Sequence, residues 1–162
     1  MREILFKAKV KNWKQLPKEE WWVEGYYGIK GKGTELEEHF IICSTFSPIL
    51  STYPFYFTDI QIDPETLCQY TGLTDKNGNK IWENDILRGY QYPYRSDGND
   101  NYFAEVTWFE NCPAFGIYTF KNPKSNVCGI SEGNTEFMEN WNSEDWEVIG
   151  NIFDNAELLE VE

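Results

Sequence analysis

The segment from Ile62 to Leu87, IDPETLCQYTGLTDKNGNKIWENDIL, decides how the chain is read. Asp75-Lys76-Asn77-Gly78 is its strongest turn signal, with apolar residues on either side. Asparagine and glycine tolerate positive φ, and an aspartate at the first position can hydrogen-bond the backbone ahead of it, so a tight hairpin closed by Gly78 is expected there. Asp63-Pro64 could open a helix, but Thr66, Tyr70, Thr71 and Gly72 make its continuation poor. A turn leading into a short strand at Leu67 to Tyr70 fits better, followed after the hairpin by a strand through Asp85, Ile86 and Leu87.

Outward from this segment the same pattern recurs. Aromatic and β-branched residues are broken every eight to twelve positions or so by glycine or asparagine, and no helical period lasts beyond about two turns, which predicts an all-β protein. Strands are expected at Ile4 to Val10, with Leu5, Lys7 and Lys9 alternating against Phe6, Ala8 and Val10. Others are expected at Trp21 to Gly28, Phe40 to Cys43 and Phe55 to Ile62. Phe103 to Phe109 and Phe115 to Phe120 read as a hairpin closed by Glu110 to Ala114. One or two helical turns are expected within Gly133 to Asp145, a final strand at Trp146 to Phe153, and a capped single turn from Asp154 to Leu159. A glycine inside a strand marks close approach of a neighbour, which is the expectation at Gly25.

The 162 residues suit one domain or two small ones, and the chain is long enough to fold without disulfide staples. Cys43, Cys68, Cys112 and Cys128 are widely spaced with no Cys-x-x-Cys pair, so they read as reduced thiols of a cytoplasmic protein. Charges interrupt the amino-terminal apolar run and no later segment reaches the roughly 18 apolar residues of a spanning helix, so no membrane association is expected. The net charge of −13 is uneven: after Ser125 there is no lysine or arginine and ten acidic residues, while the first 124 residues sum to −3. Such a surface repels phosphate backbones, and direct nucleic-acid binding is disfavoured.

Four pieces in order, Arg2 to Lys7, Trp22 to Tyr27, Pro64 through Gly78 to Ile86, and Glu147 to Ile152, resemble the YopX family of bacteriophage and prophage proteins. The resemblance spans nearly the whole chain. It implies a β-rich amino-terminal part (residues 1–66) followed by an SH3-like barrel (67–162), and a family without an established activity that supplies no catalytic residues; the lack of internal repeats and low-complexity linkers predicts that the two parts pack as one unit. The tyrosine-rich stretch at Arg88 to Tyr102, and Cys68 and Trp82, depart from the family pattern.

No catalytic, cofactor or metal signature is specific. Asp75, Asn77 and Asn79 have the spacing of a calcium loop, but Lys80 and Ile86 stand where glycine and glutamate are required. His39 is the only histidine and reads as an ordinary surface residue. Arg88, Tyr90, Tyr92, Tyr94 and Arg95 form the best local binding candidate, since alternating tyrosines with arginines can stack and pair. Asp75, Asn77 and Gly78 are read as a structural turn. The expectation is a non-enzymatic module that binds a protein partner, needs no cofactor and can form homo-oligomers through a free strand edge. The alternative is an acidic decoy that mimics nucleic acid and occupies a host nucleic-acid-binding protein. Gly78→Val is expected to cost about 1–2 kcal/mol, because a β-branched residue is strained at positive φ. A lowered thermal midpoint checks this, and an unchanged one refutes the turn.

Overall fold

A computed structural model describes residues 3–46, 55–89, 102–111, 113–121, 135–138 and 146–159. Among them are eleven strands and a few single 3-10 turns, with no α-helix. The protein is all-β. The chain divides into two compact units, Met1–Tyr70 and Thr71–Glu162, and the division falls inside a strand.

The first unit holds β1 (Phe6–Lys9), β2 (Trp22–Lys30), β3 (Glu38–Phe46) and β4 (Phe55–Gln61), in the order β4-β3-β2-β1 and all antiparallel. β3 extends well beyond the expected Phe40 to Cys43. Past the end of β1, Val10 bridges to Ile62, with Lys11 N donating to Gln61 O (3.0 Å) and Asp63 N to Lys9 O (2.9 Å). The curled sheet thereby encloses its own core of Ala8, Ile41 and Ile62, against which Phe6, Val23 and Tyr27 pack. Gly25 is demanded by this curl, because a Cβ there would collide with the carbonyl oxygen of Ile42.

β1 buries both of its faces. Ala8 points into the core, while Lys9 on the other face is fully buried. The 3-10 turns at Trp13–Gln15 and Lys18–Glu20 fold tryptophans over it, so that Lys9 Nζ lies 3.8 Å from the ring centre of Trp13 and 4.6 Å from that of Trp21. A desolvated cation held against ring faces gains about 2 kcal/mol, which offsets part of its burial cost. The Lys9 backbone N–H donates to Thr66 Oγ1 (2.9 Å), tying the strand to the turn at Pro64–Thr66.

β5 (Cys68–Thr74) leaves the first unit, where Phe6 and Lys7 pair with Gln69 and Cys68, and is paired farther on with β6 (Lys80–Trp82). The second unit then builds β7 (Asp85–Gly89), β8 (Tyr102–Phe109), β9 (Ala114–Lys121), β10 (Thr135–Phe137) and β11 (Trp146–Asn151) into a sheet of order β10-β9-β8-β7-β11. Its core is Ile81, Leu87, Ala104, Val106, Ile117 and Met138 with Phe115. One expectation is corrected here. The sheet is open, since among the described residues no pairing joins β10 to β11, so the SH3-like barrel is not closed. Of the stretch Gly133 to Asp145, where helical turns are expected, Thr135–Phe137 form β10, paired with Tyr118, Ile117 and Gly116, and all but residues 135–138 lie outside the described residues.

Gly25→Ala should therefore destabilise the protein by about 1–3 kcal/mol through overpacking. Gly28→Ala, where the new methyl would meet only Ile42 Cδ1 at 3.4 Å, should be nearly neutral. Urea-unfolding midpoints of the two variants check the difference.

Candidate functional site

The Asp75 turn is built as a hydrogen-bond sink. Asp75 O accepts from Gly78 N (3.0 Å), and Gly78 has φ +82°. The buried Asp75 carboxylate accepts from Asn77 N and Asn79 N (2.8 Å each), Asn79 Nδ2 (3.1 Å) and, 73 residues away, Val148 N (3.1 Å). Burial pushes this carboxyl up, but the donors outweigh it and hold it below the usual range. Ringed by N–H groups, it has no face suited to a cation, and no cluster of metal-ligating residues occurs among the described residues.

Lys76 N donates to Trp146 O (3.0 Å), so the turn lies along β11. This places Lys76 Nζ 2.7 Å and Arg88 Nη2 2.8 Å from the same oxygen, Glu147 Oε2. Hydrogen bonds from Arg88 and then Lys76 bring the Glu147 carboxyl down to about 2. Arg88 is the one member of the sequence-predicted binding cluster within the described residues, and its guanidinium is engaged by Glu147. Tyr90, Tyr92, Tyr94 and Arg95 lie outside the described residues.

Two clusters escaped the sequence reading. The first is the Lys9 enclosure. The second corrects the reading of His39, which is partly buried rather than an ordinary surface residue. Tyr27 Oη lies 2.5 Å from His39 Nδ1, and His39 Nε2 lies 3.3 Å from Glu37 Oε1. Both contacts are satisfied when the phenol donates to Nδ1 and an Nε2–H donates to the carboxylate. Burial, and then the Glu37 charge, push the Tyr27 phenol up, so it stays protonated and is no nucleophile. A lone histidine carries no motif, and the contact across β2 and β3 arises only from their register, in which Tyr27 faces Ile41 and Ile29 faces His39. Cys43 is likewise held as a thiol, burial and Glu24 raising it, and it donates to Glu24 O (3.1 Å).

What the first unit leaves open is its outward sheet face. Register and alternation place Tyr26, Phe40, Ile42 and Phe57 there, with Tyr26 53 % and Phe57 71 % exposed. Around them run the Lys30–Asp59 ion pair (2.8 Å) and the Gln61–Glu38 hydrogen bond (2.8 Å). One end of this face is covered by the tryptophans over Lys9; the other carries the exposed aromatics.

Two antiparallel sheets, with no α-helix among the described residues, define an all-β protein. The YopX family model, described as YopX protein, matches residues 18–160, and the chain belongs to that family. No curated protein matches. Among solved structures the chain is similar to protein EF1440 from Enterococcus faecalis, at 21 % identity and a TM-score of 0.43, over 99 % of this chain and 100 % of that one.

A carboxyl whose pKa is lower in the folded than in the unfolded state stabilises the fold only while ionised. For Glu147 that contribution is present above its usual value of 4.5 and is lost as pH falls toward about 2. Urea midpoints of the wild type should therefore drop as pH is lowered through this window. Glu147→Gln should flatten the drop, leaving a residual fall from Asp75, which is shifted in the same direction.

Proposed function

We propose that this protein is a phage or prophage accessory factor of the bacterial cytoplasm that acts without catalysis, by binding a protein partner through the outward face of its first unit. The observation that carries the reading is the exposed aromatic surface of Tyr26 and Phe57 beside Phe40 and Ile42. Apolar exposure rimmed by polar groups is what protein interfaces use. Further support is that the reactive groups nearby are engaged within the fold: the Tyr27 phenol with His39, and the Cys43 thiol with a backbone carbonyl. The net charge of −13 opposes a nucleic-acid partner. The phage setting is supported by family membership.

A second reading, the acidic decoy, draws on the charge split between units. Residues 1–70 carry eight basic and ten acidic residues, a net of −2, whereas residues 71–162 carry six and seventeen, a net of −11. Glu147 does not contribute freely to such a surface, being paired with two cations.

Retention experiments on bacterial lysate separate these readings. Tagged wild type is expected to retain a protein that Tyr26→Glu does not, with retention unaffected by added DNA. Displacement by DNA with a steep loss in salt supports the decoy instead. Retention of nothing, together with turnover in a broad hydrolase screen, overturns both.

A further inference from the structure

We infer that the free edge of β4 is a self-association site, at which a second copy of this chain pairs antiparallel across a two-fold axis at Phe57. The inference goes beyond the binding role proposed above: it shares Phe57 with that face but is carried by the backbone edge, and it is read without any other partner.

Hydrogen-bonding direction along β4 follows from one bond. Ile62 N donates to His39 O (3.0 Å), so residues of the same parity, Ile60, Thr58 and Tyr56, turn their backbone groups toward β3. Gln61, Asp59, Phe57 and Phe55 turn theirs away. Gln61 O accepts from Lys11 N, which covers that end of the edge. From Asp59 to Phe55 no strand lies on the outer side among the described residues, and β4 ends the order β4-β3-β2-β1.

This open length is self-complementary. A two-fold axis at Phe57 pairs Phe57 with its symmetry mate, and Phe55 with Asp59 of the second copy and the reverse. All three residues on each copy that face outward then sit in hydrogen-bonded pairs, which supply six N–H···O bonds. An axis at Thr58 would instead need Gln61, whose carbonyl is taken. The 71 % exposed ring of Phe57 meets its mate on the outward face, where an aromatic cross-strand pair forms.

Devices that normally protect an edge are absent from Phe55–Gln61: it has no lysine, no proline and an unbroken register with β3. Its one charge, Asp59, is paired with Lys30 at 2.8 Å. In the proposed register the two Asp59 residues are about 14 Å apart along the strands, four residues at about 3.4 Å each, beyond the roughly 8 Å screening length of physiological salt. The edge also belongs to a unit whose own net charge is only −2. A partner of basic chemistry would find little to attract it at such an edge. An identical strand finds a full set of donors and acceptors.

Sedimentation of the full chain over a range of concentrations and salt, together with two variants, tests the inference. Wild type is expected to dimerise, more strongly as salt rises. Phe57→Lys sets like charges at the axis and is expected to be monomeric, with a thermal midpoint equal to that of wild type at concentrations where both are monomeric, since the side chain is exposed. Phe57→Cys is expected to form a 57–57 intermolecular disulfide under mild oxidation, verified by peptide mass, because hydrogen-bonded pairs place Cα atoms about 5.5 Å apart. Asp59→Cys is expected not to cross-link to itself. A wild type that stays monomeric throughout, a dimer that survives Phe57→Lys, or self-cross-linking through Asp59→Cys but not Phe57→Cys would each overturn it.

Discussion

A buried carboxylate ties distant parts of the second unit together. Asp75 is withdrawn from water, which costs free energy unless its lone pairs are filled, and four N–H donors fill them, three from its own turn and one from Val148. Charge-assisted bonds of this kind are roughly twice as strong as neutral ones. The last donor joins residues 73 positions apart and sets β11 against the hairpin. Its consequences follow outward: Lys76 and Glu147 come within 2.7 Å, and Arg88 on β7 reaches the same oxygen. The ion cluster is therefore a product of the turn, and the arginine that resembled a ligand-binding group is occupied by the fold.

The first unit solves a different problem. A sheet that curls far enough for Val10 to meet Ile62 must let strands approach closely, and Gly25 supplies the space under the Ile42 carbonyl. The same curl leaves one strand position, Lys9, beneath a covering segment. Its ammonium is accommodated by the rings of Trp13 and Trp21. Covering one end of the outward face concentrates the remaining exposed aromatics at the other, near the open edge of β4. Face and edge are distinct resources: the first offers side chains to a partner, the second offers backbone groups to another strand.

The legible parts of the fold were those with local causes. Alternation with turn chemistry between Phe109 and Phe115 announces the β8–β9 hairpin, and Asp75 to Gly78 announces its turn through residue types that tolerate positive φ. β10 was not legible, because three residues carry no period and their strand character comes from pairing with β9. Lys9 looked like half of an ordinary alternation, since nothing local says that two 3-10 turns will fold tryptophans over it. His39 looked ordinary because its partners come from β2 and from the turn before β3.

The sequence by itself determined the all-β class, the hairpin turns, the acidic imbalance and the family, because these reside in residue types, their spacing and their sum. Only the tertiary structure decided that the second sheet stays open, that Arg88 is neutralised by Glu147, and that β4 ends with three residues facing outward. Each of these depends on which strands lie side by side and in what register. A shift of one residue would turn every side chain to the other face and every outward N–H inward.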